Sequence, residues 1–262
     1  MSKFADKLKN ISQAATQPMG FGRRQVAETS PGLLLVARLA GGSGGKLAGS
    51  VAGADAGLVD VSASEGDDKT LQKCARAAPD IPWGGWLKGE GRPGGGELAC
   101  PDCDFVILPA RMPVGTLEDS TEVGRILEVS ASLNAGILRT VNDLPVDGVL
   151  ITFEGEDGLS LTWQRLMTLQ HLADLLVKPL LTVVPPGIGA GGIKLLWEAG
   201  VDGVIVETEA GKSGGQLKRL REAISQLGPP SSGRRGKVKA LLPKTGQEAA
   251  LTTEEELPGD LR

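Results

Sequence analysis

Tyrosine is absent from this 262-residue chain, histidine occurs once, and aromatic residues make up only 3% of it. One histidine leaves little room for catalysis by a serine or cysteine nucleophile, which needs an imidazole within hydrogen-bond reach. That histidine, His171, also falls in the middle of a helical pattern between Gln170 and Leu172, where a packing or surface role is expected. No apolar run approaches the ~20 residues that a membrane-spanning helix requires. The first residues carry no continuous apolar stretch of the secretory kind, so a cytoplasmic protein is expected. Three cysteines are an odd and small number for a chain of this length, which suits a reducing compartment better than a disulfide framework. Cys100 and Cys103 form a Cys-x-x-Cys without the second pair that a zinc site of this type uses, and no metal site is expected. Net charge is −4 with both signs interspersed, so nucleic acid is not an expected partner.

What the chain has in abundance is glycine, 38 residues of it, many at turns between aliphatic runs. One phrase returns: Ala54-Asp55-Ala56-Gly57-Leu58-Val59, Cys103-Asp104-Phe105-Val106-Ile107, Val146-Asp147-Gly148-Val149-Leu150, and Val201-Asp202-Gly203-Val204-Ile205. Each is an acidic or small turn followed at once by β-branched and aliphatic residues. The runs lack polar–apolar alternation, which is how a strand reads when both of its faces are buried. Such strands belong to parallel sheets, where a crossover separates successive strands. Eight candidates follow in order, at 32–39, 57–62, 83–88, 104–109, 125–130, 148–153, 179–185 and 203–207. Their starts are roughly 21–26 residues apart, with a longer step before the seventh, a spacing that suits compact βα units.

The fold expected is an α/β (β/α)8 barrel, with an open doubly wound sheet as the alternative. Helical patterns at 68–78, 162–177, 193–198 and 216–227 supply crossovers. The third and fourth crossovers are degenerate: 91–101 is mostly glycine and proline, and 111–123 has a poor period. Three regions follow: an N-terminal helix and linker over 1–30, the barrel over 31–228, and a disordered charged tail over 229–262. Phe4, Leu8, Ile11 and Ala15 share one face of a helix over 2–17, which reads as a cap on the barrel's bottom or side. The alternative is a helix that lies on a membrane surface or docks a protein partner. In the tail, Arg234, Arg235, Lys237, Lys239 and Lys244 form a basic stretch and Glu254, Glu255 and Glu256 an acidic one, with little to bury.

Barrel enzymes place their working groups at the C-terminal ends of the strands and in the loops beyond. The polar residues there are Arg38, Asp60, Ser62, Lys88, Arg111, Glu128, Ser130, Thr152, Glu154, Glu207 and Lys212. Asp60 and Lys88 end neighbouring strands and share the inward parity, so they are the candidate catalytic pair for proton transfer or substrate orientation. Glu154, Glu156 and Asp157 read as a polar loop whose Asp157 or Ser160 caps the next helix. Trp83 and Trp86 are expected to fill core space. The loops after the seventh and eighth strands are glycine-rich and each opens a helix. Gly189, Gly191, Gly192, Gly214 and Gly215, with Lys212, could present backbone donors and charge to an anion.

The stretch Gly191-Gly192-Ile193, followed by Glu198-Ala199-Gly200-Val201-Asp202-Gly203-Val204-Ile205-Val206, resembles the closing segment of the phosphate-binding TIM-barrel superfamily. That group includes thiamine-phosphate synthase-like, phosphoribosylanthranilate isomerase-like and FMN-dependent barrels. The resemblance implies a small phosphorylated ligand on the loops after strands seven and eight, FMN among the possible cofactors, and an isomerase, lyase or synthase type of activity. The competing expectation is a barrel without catalysis that serves as a scaffold through its N-terminal helix and C-terminal tail.

Overall fold

The computed structural model describes residues 2–14, 32–39, 47–61, 67–88, 103–114, 122–153, 160–185, 187–208 and 214–227. Eight strands appear where the sequence places them: β1 (Leu34–Leu39), β2 (Ala56–Val61), β3 (Trp83–Leu87), β4 (Phe105–Pro109), β5 (Gly124–Ser130), β6 (Gly148–Thr152), β7 (Leu180–Val184) and β8 (Gly203–Thr208). All neighbouring pairs are parallel. β8 also pairs with β1, from Leu34 opposite Gly203 to Leu39 opposite Thr208, so the sheet closes. That pairing overturns the open-sheet alternative.

Closure explains the unbroken apolar runs. Leu34, Val36, Leu58, Trp86, Phe105, Ile107, Ile126, Leu150, Leu181 and Ile205 fill the lumen. The residues between them, such as Leu35, Ala37, Val59, Val106, Val149 and Val204, face outward into a second apolar layer under the helices. The glycines of β3 belong to this packing: a Cβ on Gly84 would lie 2.5 Å from the ring of Phe105. Space is scarce there because that ring stacks on Phe4 with centroids 4.0 Å apart.

The helices are α1 (Lys3–Ala14), α2 (Leu47–Ser50), α3 (Asp67–Ala77), α4 (Ala135–Thr140), α5 (Trp163–Leu175), α6 (Ala190–Glu198) and α7 (Gly214–Ser225). The four crossover helices expected from the sequence are present within three residues at each end. α2 and α4, with a 3₁₀ turn at Val141–Asp143 after α4, were not expected. Most of the third and fourth crossovers, residues 89–102 and 115–121, lies outside the described residues. Residues 229–262, the tail of the sequence reading, lie outside the described residues, as do Cys100, Glu154, Glu156 and Asp157. Cys103 and Cys74 are buried.

α1 closes the floor. Asp104, at the entrance to β4, takes hydrogen bonds on its carboxylate from Ser2 Oγ and from the backbone N–H groups of Lys3 and Phe4, each at 2.8 Å. These are the first-turn donors that a helix cannot satisfy itself. Lys9 pairs with Asp147 at 2.8 Å, and Lys7 Nζ donates to the carbonyl of Asp55. Phe4 and Leu8 are fully buried in the lumen and Ile11 nearly so. The apolar face that could have met a membrane or a partner is therefore turned into the barrel, which corrects that alternative reading of residues 2–17.

The recurrent aspartates prove to be one device, complete before β2, β6 and β8 and present in half before β4. Asp55, Asp147 and Asp202 each donate their N–H to a carbonyl on the preceding strand, at Leu35, Arg125 and Leu180. Each also accepts that same residue's N–H on its carboxylate. Asp104 keeps the first bond, to Trp83, while its carboxylate serves α1.

Candidate functional site

At the C-terminal end of the barrel the lumen changes from aliphatic to charged. Period-two alternation carries the inward row of β1 from Leu34 and Val36 to Arg38, of β2 from Leu58 to Asp60, of β3 from Trp86 to Lys88, of β5 from Ile126 to Glu128 and of β8 from Ile205 to Glu207. Arg38 spans to Asp60 through two bonds, Nε to Oδ1 at 3.0 Å and Nη2 to Oδ2 at 2.6 Å. This paired fork is the strong form of a guanidinium–carboxylate contact. The remaining guanidinium nitrogen, Nη1, lies 3.9 Å from Glu207.

Trp86 is the floor of this mouth. Its ring is buried, and its indole N–H, which needs a partner when buried, donates across the lumen to Glu128 Oε2 at 2.7 Å. Lys88 Nζ sits 3.3 Å from the ring centroid and the Arg38 guanidinium 4.8 Å from it, so two cations share one π system.

These surroundings move proton affinities. Burial works against the charged form of Arg38, but the hydrogen bond and charge of Asp60, followed by Glu207 and Glu128, outweigh it and hold the guanidinium above its ordinary value. Lys88 goes the other way. The protein around its ammonium lowers its pKa, Glu128 and Asp60 oppose that, and Arg38 and Arg111 add to it. Lys88 is thus a lysine poised to lose its proton more readily than usual, although the residue as a whole is exposed.

The structure brings both members of the candidate pair to one mouth but does not join them to each other. The carboxylate of Asp60 is taken by Arg38, and Lys88 rests on Trp86. Trp86, expected only as core filling, has a second role in fixing Glu128. A signal for it existed, since Trp86 shares the inward parity of Lys88 two residues on. Beside the mouth lies a cleft of about 350 Å3 lined by Lys88, Pro109, Arg111, Glu128, Ser130 and Thr152. A second cleft of about 540 Å3, lined by Ser130, Ser132, Thr162, Gln164, Arg165 and Thr168, adjoins it at Ser130.

On the β7–β8 side, Gly189 is the N-cap of α6 in extended backbone and supplies no side-chain cap. Gly187, at φ +94°, makes the turn before it. No described atom lies within 4 Å of where a Cβ would stand on Gly189, Gly191 or Gly215, so the glycine backbone there is open on its outer side. Gly192 is different: a Cβ there would meet Ile188 at 2.7 Å, so this glycine serves packing as well. Gly214 starts α7. Lys212 lies outside the described residues. His171 is exposed on α5, away from the mouth. Among the described residues no group of three histidine, cysteine or acidic side chains is placed to hold a metal ion, and no helix is long and apolar enough to cross a membrane.

Eight parallel strands closed into a barrel, with inward-facing ionisable groups at their C-terminal ends, define a TIM barrel, an architecture that places its sites at that face. No family model and no curated protein matches the sequence. Solved structures match in fold. Thiamine phosphate pyrophosphorylase from Pyrococcus furiosus superposes with a TM-score of 0.55 at 16% identity, over 75% of this chain and 98% of that one. 3-Keto-L-gulonate-6-phosphate decarboxylase from Vibrio cholerae gives 0.57 at 16% identity, over 75% and 99%. Orotidine 5'-phosphate decarboxylase from Pyrococcus horikoshii gives 0.56 at 15% identity, over 74% and 100%. At these identities the likeness is one of fold, and it agrees with the barrel read from the strand pattern.

Proposed function

We propose that this barrel binds a small phosphorylated molecule at its C-terminal face and carries out acid–base chemistry on it. The observation that carries the reading is the meeting, at one end of the barrel, of a charged inward ring with two glycine-opened helix starts. Backbone N–H groups at Gly189, Gly191 and Gly192, and at Gly214 and Gly215, would hold the phosphate, as helix N-termini do for anions, with Lys212 two residues ahead of Gly214 in the sequence. Glu207 directs its carboxylate at Arg38, so its negative charge has a counterion beside it. Lys88 transfers the proton, because its lowered pKa brings it nearer to neutrality than other lysines. Asp60, locked to Arg38, orients the substrate. The names of the fold neighbours, all enzymes of phosphorylated compounds, agree with this reading.

A thermal-shift screen with inorganic phosphate, pyrophosphate, ribose phosphates, thiamine phosphate and FMN tests it. A ligand that binds only the folded state adds ~2.7 kcal/mol at a hundredfold excess over Kd. Gly189→Asp is the informative variant. Aspartate suits an N-cap position in extended backbone, so the fold is kept or gains a few tenths of a kcal/mol, while the new carboxylate occupies the place of the phosphate. A shift in the parent that this variant abolishes supports the reading. A flat response across the panel sinks it and leaves the scaffold reading through residues 229–262.

A further inference from the structure

Two cations line the cleft beside the mouth. Lys88 and Arg111 both border it, and each repels a positive charge on the other, which is part of what lowers the pKa of Lys88. The contact recorded for Lys88 is the face of Trp86, and the carboxylate in the cleft, Glu128, already accepts the indole N–H of Trp86. The adjoining cleft is lined by hydroxyls and an amide, with Ser130 Oγ and Ser132 Oγ 2.7 Å apart at the junction. Across both clefts the described lining holds three cations, Lys88, Arg111 and Arg165, against the single carboxylate of Glu128, in a chain whose net charge is −4.

We infer that the molecule bound at this face carries a second anionic group, held between Lys88 and Arg111, and a hydroxylated portion that lies past Ser130 into the neighbouring cleft. This deepens the reading above and rests on it for the first group, the phosphate at the α6 and α7 starts. A planar guanidinium beside an ammonium grips a carboxylate or a phosphate equally well, and an anion between them offsets the repulsion between the two cations. The hydroxyls and the Gln164 amide can donate to and accept from the alcohols of a polyol. The substrate class is therefore an open-chain or cyclic sugar derivative that bears two separate anionic groups, at least one of them a phosphate.

The test is titration calorimetry on the full chain with gluconate, ribose 5-phosphate, 6-phosphogluconate, fructose 6-phosphate and fructose 1,6-bisphosphate. Arg111→Gln and Gly189→Asp are the variants, and both change exposed positions. At least one doubly anionic compound is expected to bind ten times or more as tightly as its singly phosphorylated counterpart. Which compound does so identifies the second group as carboxylate or phosphate. Arg111→Gln should erase that excess and leave the monophosphate Kd in place, while Gly189→Asp should weaken the monophosphates. Equal Kd values for singly and doubly anionic compounds, or an excess that survives Arg111→Gln, overturn the inference. Failure of the phosphate reading looks different: Gly189→Asp would then leave ribose 5-phosphate binding unchanged while Arg111→Gln still removed the excess.

Discussion

Lys88 and Trp86 show how far single residues shape this mouth. An amine with a lowered pKa holds more of its free base at pH 8 than an ordinary lysine does, and only the free base reacts with acylating reagents. Lys88 should therefore be acetylated by limiting acetic anhydride at pH 8 several-fold faster than exposed Lys218 on α7, as read by peptide mass spectrometry. Equal rates would remove the argument for Lys88 as the proton carrier. Trp86 is expected to matter through its N–H as well as its bulk. Trp86→Phe keeps a ring face for Lys88 but leaves Glu128 without its donor, a loss of about 1.5 kcal/mol in urea unfolding. Glu128→Gln, whose amide oxygen still accepts, should lose less. The polar residues at the strand ends were legible in the sequence because inward parity and strand ends can be counted. Their partners were not. The Arg38–Asp60 fork joins β1 to β2, and the Trp86–Glu128 bond crosses the lumen from β3 to β5, so both depend on the barrel's register and closure, which leave no local trace.

Among the elements, α1 has the clearest energetic role. It brings Phe4, Leu8 and Ile11 into the lumen, and full burial of each such side chain is worth about 1.5–3 kcal/mol. Phe4→Ala removes the ring stacked on Phe105 and should cost about 3–5 kcal/mol in chemical denaturation. The helix also makes stability depend on acid. Burial favours the neutral form of Asp147, but the hydrogen bonds from Lys9 and from the Arg125 amide, with the charges of Lys9 and Lys178, outweigh it and hold the carboxyl below its ordinary value. The unfolded chain then binds the proton first as pH falls. The stability that this carboxylate supplies is whole above about pH 4 and is lost as pH drops through its lower folded value. Lys9→Ala and Asp147→Asn should both flatten that acid limb in a series of urea titrations, and an unchanged limb would refute the pairing. The strands and the longer helices could be read from the sequence because each buries a continuous face. α2 and α4, of four and six residues, are too short to show a period, and that α1 faces the floor became clear only from Asp104.

Across the whole molecule the four aspartates before the even strands set a frame in which every second strand is tied to its predecessor at the floor. The phrase was visible in the sequence, whereas its purpose was not, because the acceptor role of each carboxylate depends on which strand lies alongside. The frame has one exception, and the exception separates local from global stability. Asp202 is 2% exposed and accepts the buried N–H of Leu180, so Asp202→Ala strands a donor inside the sheet at about 1–3 kcal/mol. The strands share one closed ladder through β8 and β1, so that loss cannot be confined to β7 and must lower the exchange free energy of all eight strands together. Asp104 carries the same residue type in the same position of the repeat, yet among the described residues its carboxylate accepts from Ser2, Lys3 and Phe4 and not from the preceding strand. Asp104→Ala should free the first turn of α1 and raise exchange in that helix, with the strand amides protected nearly as before. Native-state hydrogen exchange resolves the two patterns residue by residue. If both substitutions lower protection uniformly, α1 is part of the cooperative barrel and not a cap added to it.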